Sequence, residues 1–257
     1  MERGTVTLAD RTIAIVGGGP SGLSAAIALR RLGVGHVTVY EREQQAGGAP
    51  RHTNHLGFGM LDLHRLMSGP RYARTLVERA TRADVDLRRG AAVFSLDDLD
   101  SDAVILATGV RERPRAARLV PGDRPAGIFT TGSLQQLAIA GQRVGTRAVI
   151  VGAEHVSFSA IMTLAHVGCR SVAMVTPLPR HQSYAVLKLA VATMRRVPVV
   201  TGVDIAEIVG RRRVERVVLT DGRAIECDTV VFTGDWIPDN ELARHSGLTM
   251  NPEIKGP

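Results

Sequence analysis

A short apolar run that ends in glycine and opens onto a helical stretch occurs twice in this chain, and such a repeat leaves few architectures open. The first copy is Thr12-Ile-Ala-Ile-Val16, closed by Gly17-Gly-Gly-Pro-Ser-Gly22. Branched residues in an unbroken apolar run suit a strand buried on both faces. Beyond the turn Ala25, Leu29 and Leu32 share one helical face, and Gly33 stands where a helix would end. His36 to Tyr40 reads as a second strand with Glu41 at its carboxyl end, which completes a βαβ unit. The second copy starts at Ala148-Val-Ile-Val-Gly152, and Asp228-Thr-Val-Val-Phe-Thr-Gly234 echoes Asp102-Ala-Val-Ile-Leu-Ala-Thr-Gly109. Two tandem doubly wound α/β units follow from the echo.

The remaining segments fit this plan. From Gln44 to Gly69 glycine, histidine and proline replace any regular period, and loops of that length usually serve function. Pro70 opens a helix with Tyr72, Leu76 and Ala80 on one face; Leu87–Arg88, Ala92–Leu96 and Val104–Leu106 read as strands. After a stretch with Pro114, Pro121 and Pro125, the second unit is read as a helix over Val156–Val167, a strand over Ser171–Val175 and a helix over Gln182–Arg195. Asp221-Gly222 between Val214–Leu219 and Ala224–Cys227 predicts a hairpin. The expected division is a first domain over residues 1–125, a second over 126–236, and a return segment toward the first over 237–257.

Composition excludes several classes of function. Hydrophobic residues at 44% and charged residues at 22% sit near globular averages. The net charge of +7 is almost wholly arginine, since Lys188 and Lys255 are the only lysines. The clusters Arg211–Arg213 and Arg111, Arg113, Arg115, Arg118 lie beside turn signals with no aromatic residues interleaved, so nucleic-acid binding is disfavoured. Cys169 and Cys227 have neither C-x-x-C nor metal-type spacing, and no metal site is expected. With no readable signal peptide and no apolar run of the ~18 residues a membrane span needs, a soluble cytoplasmic protein is expected.

Gly17-x-Gly19-x-x-Gly22, with Pro20 and Ser21 between its last glycines, stands between strand and helix, as a dinucleotide fingerprint must. Gly17 permits the tight turn, Gly19 lets backbone approach a pyrophosphate, and Gly22 lets the helix pack against the strand. Glu41, at the end of the next strand, can accept hydrogen bonds from both ribose hydroxyls and would repel a 2′-phosphate. The implied ligand is FAD or NAD.

On these residues the chain resembles the flavoproteins of the glutathione reductase and thioredoxin reductase superfamily, over nearly its whole length. The resemblance implies FAD in the first domain, with Arg42, the pair Gly47-Gly48, Val93 and Ala107-Thr108-Gly109 among its contacts. Thr233-Gly234 with Pro238 matches a further signature. The stretch Gly47–Gly59 with Gly69–Ala73 is similar to the FAD-carrying alpha subunits of opine oxidases, hydrogen cyanide synthases and dye-linked amino-acid dehydrogenases. That likeness implies hydride transfer from an amine or amino-acid-like small molecule to the flavin, a partner redox subunit and an oligomer. Arg51, His52 and His55 are candidates for substrate contact, by a bidentate arginine or a histidine near neutrality; they read equally well as loop or flavin-supporting residues, and no catalytic residue is assigned. Disulfide reduction is disfavoured, because no cysteine pair lies near the flavin.

Two departures from the family pattern stand out. Gly152-Ala-Glu154-His-Val-Ser157 puts glutamate and serine where the second and third glycines belong, and Thr176-Pro177 follows the next strand in place of an acid. NAD(P) binding in the usual manner is disfavoured, and this domain reads as retained structure. The glycine-aspartate signature that completes the FAD domain is missing by Pro257, so its C-terminal part is expected from a longer chain or a separate one, unless the gene is truncated. An NAD(P)H-dependent flavin reductase that feeds a partner, and a non-catalytic flavin-binding subunit or scaffold, are the competing functions.

Overall fold

In the computed structural model, which describes residues 7–183, 197–253 and 256, contacts divide the chain into two compact units. One is Met1–Arg111 with Ile237–Pro257; the other is Glu112–Trp236.

The first unit runs β1 (Thr12–Val16), α1 (Pro20–Arg31), β2 (His36–Glu41), β3 (Leu56–Phe58), β4 (Met67–Ser68), α2 (Gly69–Arg82), β5 (Asp86–Arg89) and β6 (Ala103–Leu106). Its four-stranded sheet is parallel in the order β5-β2-β1-β6, while β3 and β4 pair antiparallel inside the segment that showed no period. Ile15 pairs with Val39, and both are fully buried beneath Leu23 and Leu76 in one cluster. Each such side chain contributes about 1.5–3 kcal/mol relative to exposure. Tyr72, Leu76 and Ala80 are buried along α2 as their spacing predicts. In α1 the buried stripe is Leu23, Ala26 and Ile27, one step round from the expected face, and Leu32 is 67% exposed. Gly33, at φ +88°, closes α1 with its N–H on Arg30 O. No strand forms over Ala92–Leu96, because Ser95 accepts the Asp97 N–H and starts a 3-10 turn at Leu96–Asp98.

The chain leaves the first unit along β7 (Val110–Glu112) and continues through β8 (Ile128–Thr130), α3 (Thr131–Ile139), β9 (Arg147–Val151), α4 (His155–His166), β10 (Arg170–Thr176) and β11 (Val199–Thr201). Then come β12 (Ile205–Val209), β13 (Arg216–Leu219), β14 (Ala224–Glu226) and β15 (Thr229–Phe232); β16 (Trp236–Pro238) and α5 (Glu241–His245) return to the first unit. The second unit's main sheet is parallel in the order β11-β10-β9-β15-β8, beside an antiparallel β12-β13-β14 sheet. The predicted hairpin turns at Gly222, whose N–H donates to Leu219 O. The helix read over Gln182–Arg195 lies outside the described residues apart from its first two positions.

Residues 112–125, expected with the first domain, belong to the second unit. The Arg115 guanidinium gathers the carbonyls of Val120, Pro121 and Asp123, and the Asp123 carboxylate accepts the Gly210 N–H at 3.0 Å. These bonds fasten the proline-rich segment to β12 and its neighbours.

The sequence echo has a shared structural device. Asp102, just before β6, accepts the Thr12 N–H at 2.7 Å and the Thr12 hydroxyl at 2.9 Å. Asp228, just before β15, accepts the N–H groups of Thr146 and Arg147, at 2.8 and 2.9 Å. Each carboxylate thereby fastens the amino end of a central strand, β1 or β9, to the strand beside it.

Candidate dinucleotide site

At β1 the strand order of the first sheet reverses, since β2 lies on one side and β6 on the other. Ligand crevices in doubly wound sheets open at the carboxyl end of such a strand. Gly17 leaves β1 at φ +112°, and its N–H donates to Tyr40 O at 2.9 Å. A Cβ there would lie 2.3 Å from Ala107 O, so the turn presses against the end of β6. Gly18 donates to Glu41 Oε2 at 3.1 Å, and its carbonyl accepts the Gly47 N–H at 2.7 Å. Gly48 stacks on Gly19, because a Cβ on Gly48 would come within 2.9 Å of the Gly19 Cα. Gly19 caps α1, Pro20 takes its first position, and the exposed Ser21 and buried Gly22 follow. The first amides of a helix have no acceptor within it and carry the positive end of its dipole. The two glycine pairs therefore line a backbone cradle in which added side chains would leave no room for a phosphate.

Glu41 is 8% exposed and accepts N–H bonds from Gly18 and from Glu43, the latter at 2.9 Å. It thereby clamps the glycine loop to the end of β2, a duty its sequence position does not announce. A carboxylate has about four acceptor directions, so two remain for ribose hydroxyls. Gly90 and Ala91 donate to the carbonyls of Glu43 and Glu41, which leads the chain along the end of β2 to the half-buried Val93. These residues fit an adenine dinucleotide: open amides for its diphosphate, and a fixed carboxylate at the end of β2.

Sequence reasoning missed Asp239. Its carbonyl accepts the Thr108 hydroxyl at 2.6 Å, its N–H donates to Gly109 O at 3.0 Å, and its carboxylate lies 3.5 Å from Arg42 and 3.4 Å from Arg111. Arg42, Thr108 and Gly109 are thus engaged by the return segment, a long-range contact with no local signal. Burial raises the Asp239 carboxyl above its ordinary value.

Arg51 and His52 stand side by side on the 3-10 turn Ala49–His52. Arg51 forms an ion pair with Glu43, and its Nη2 is 3.2 Å from His52 Nε2. A guanidinium only donates, so His52 Nε2 accepts and its proton sits on Nδ1. Burial and then the Arg51 charge push the His52 imidazole below its ordinary value. His55 Nδ1 lies 2.8 Å from Leu56 O and must donate to it, which makes Nε2 the basic nitrogen of the neutral ring. The sequence alone could not show that Arg51 is already paired.

Cys169 and Cys227 are free and buried, and burial pushes their thiols up to about 11 and about 12. Both are protonated near neutrality and poor nucleophiles. Ellman's reagent should find almost no thiol in the native chain and both after denaturation; rapid reaction of either in the folded state would contradict their burial. Among the described residues no His, Cys, Asp or Glu side chains gather as metal ligands, and no helix is long and apolar enough to cross a membrane.

Two doubly wound units, the first with a glycine cradle and a carboxylate at the end of β2, are the architecture of the dinucleotide-binding class. The chain belongs to the pyridine nucleotide-disulphide oxidoreductase family, matched over residues 11–255, a family of FAD-dependent oxidoreductases. It is 27% identical over 257 aligned positions to the benzene 1,2-dioxygenase system ferredoxin–NAD(+) reductase subunit of Pseudomonas putida, covering 92% of this chain and 60% of that protein. It is 31% identical over 182 positions to a putative glutamate synthase [NADPH] small chain of Cereibacter sphaeroides, covering 63% of this chain and 40% of the relative. The chain thus spans less than two thirds of either relative's length. The fold is that of T. acidophilum thioredoxin reductase, with a TM-score of 0.77 at 21% identity, over 94% of this chain and 82% of that structure.

Proposed function

We propose that the chain binds FAD in its first unit and works as an oxidoreductase whose flavin takes a hydride from an amine or amino-acid-like substrate. The electrons then pass to a non-nicotinamide acceptor or a partner subunit. The apposition of Gly17–Gly22 with Gly47-Gly48 beside Glu41 carries the cofactor assignment. FAD supplies the electron-pair acceptor. The amides of Ser21 and Gly22 would meet its diphosphate, and Glu41 would hold its ribose hydroxyls. The amine assignment rests on the Gly47–Gly59 and Gly69–Ala73 stretch. There Arg51, steadied by Glu43, can donate hydrogen bonds to a substrate carboxylate.

A second reading is favoured by the first relative's name: an NADH-dependent reductase that serves an electron-carrier partner. Anaerobic titration separates the two. The purified chain should be yellow or take up added FAD, and an amino-acid or amine panel should bleach the flavin. Glu41→Ala should weaken FAD binding at least about tenfold, by loss of charge-assisted hydrogen bonds. A chain that stays colourless with excess FAD would refute the cofactor site, and bleaching by NADH alone would refute the amine donor.

A further inference from the structure

The two units carry equivalent glycine turns, and the second is filled from within. Gly152 leaves β9 as Gly17 leaves β1: its φ is +130°, and its N–H donates to the neighbouring strand at Val175 O, 2.8 Å. Gly19 caps α1; Glu154 caps α4. Here the correspondence ends, because the Glu154 side chain folds back over its own loop. Its Oε2 accepts the Ala153 N–H at 2.9 Å. Both carboxylate oxygens stand 2.9 Å from where a Cβ on Gly152 would be, and Oε1 stands 2.6 Å from where one on Gly234 would be. The carboxylate therefore occupies the space at the carboxyl ends of β9 and β15, over the start of α4. That is where a fingerprint of this type seats a pyrophosphate.

Three further contacts close the same place. Ser157, at the third glycine position, joins an uninterrupted relay. The Glu154 N–H donates to Ser157 Oγ at 3.2 Å, Ser157 and Thr233 share a hydroxyl bond of 2.7 Å, and Thr233 donates to Val151 O at 3.0 Å. The Gln182 N–H donates to Ala153 O at 2.9 Å, and Gln182 bridges to Glu154, so the chain beyond β10 crosses the loop. Thr176, where a ribose carboxylate would be needed, is buried, and its hydroxyl accepts the Leu178 N–H at 3.3 Å. Arg118, with Nη2 on the carbonyls of Thr233 and Gly234 at 2.9 and 2.8 Å, is pushed down by burial and supported by the charges of Asp235, Glu112 and Glu154.

NAD(P), the second nucleotide of the family's relatives, thus meets residues that do not fit it. We propose that Glu154 is a built-in anion that takes the pyrophosphate's place and shuts the second unit to NAD(P)H. This inference concerns the second unit alone and stands apart from the assignment of FAD to the first; it counts against the NADH-dependent reading.

The test is equilibrium dialysis of the full chain against NADH, with FAD in excess so that binding at the first unit is displaced. The wild type should show no saturable NADH binding up to about 1 mM, a level that corresponds to only ~4 kcal/mol of affinity. The double variant Glu154→Gly with Ser157→Gly restores Gly152-x-Gly-x-x-Gly and should bind NADH at least about tenfold more tightly than the wild type. If it fails to fold by circular dichroism, Glu154→Gly alone, which keeps the Ser157–Thr233 bond, serves in the same comparison. Micromolar NADH binding by wild type whose first unit is occupied by FAD would overturn the inference. So would a folded glycine variant with no gain. A chain that refuses FAD counts against the proposed function and leaves the comparison among these variants intact.

Discussion

Gly22→Ala should unfold the first unit, or cost it about 3 kcal/mol or more, the range of severe overpacking. A Cβ at Gly22 would lie 2.0 Å from Gly17 O and 3.3 Å from the Ala107 Cβ. The first of these is backbone in a turn already held by the Tyr40 carbonyl, so nothing nearby can swing aside. Relief requires α1 to lift from β1, which opens the cluster around Ile15, Leu23 and Val39. Gly33→Ala is the informative contrast. Gly33 has φ +88° but nothing within 4 Å of its would-be Cβ, so only backbone strain of about 1 kcal/mol applies. Urea unfolding of both variants, with flavin content measured alongside, reads the difference. Equal midpoints for the two would show that helix and strand are not in the close contact described.

Removing the Asp228 carboxylate should have the next largest effect, and its pH dependence is diagnostic. Burial pushes this carboxyl up, but the bonds from Thr146, Arg147 and Thr229 outweigh burial and hold it below its ordinary 3.8. A carboxyl held lower in the folded chain than in the unfolded one adds stability above the unfolded value. That stability is lost as pH falls through the folded value. Asp102 is likewise held below 3.8, first by the Thr12 N–H and then by the Thr12 hydroxyl and Arg11. Asp228→Ala should lower stability at pH 7 by about 2–4 kcal/mol, since two strand amides lose a charged acceptor. Asp228→Asn should lose less. The gap between wild type and either variant should narrow once pH drops below 3.8. Thermal melts from neutral to acid pH measure it, and a gap that stays constant to the lowest pH would refute the ionised clasp.

What could be read from the sequence was local. Val16 to Gly22 and Tyr40 to Glu41 announce strand ends and turns through residue types whose backbone demands are strict. The α1 face expected from spacing lies one step from the buried one because Ala25 and Leu29 border an equally apolar stripe, Leu23, Ala26 and Ile27; only the sheet decides which lies deepest. Ala92–Leu96 is mostly apolar, like a short strand, yet Ser95 offers its oxygen to Asp97 and wins the backbone for a turn. Nothing local in the proline-rich segment assigns it to the second unit, because the Arg115 bonds that tie it there depend on folding. In the candidate site the glycines and Glu41 were visible, whereas the Asp239 contacts and the Arg51–Glu43 pair join residues that only tertiary structure brings together.

The first unit is assembled from two stretches of chain separated by all of Glu112–Trp236. Ribosomes add roughly 5–20 residues per second and release the amino-terminal part first. The β1–β6 sheet therefore emerges well before Asp239 and Ser246, which bond to Thr108 and to the Leu96 N–H. The uninterrupted second unit has every one of its residues available sooner than the discontinuous first. In a nascent chain the glycine cradle therefore stays unfinished at its Thr108–Gly109 edge until the second unit and the return segment behind it have been made.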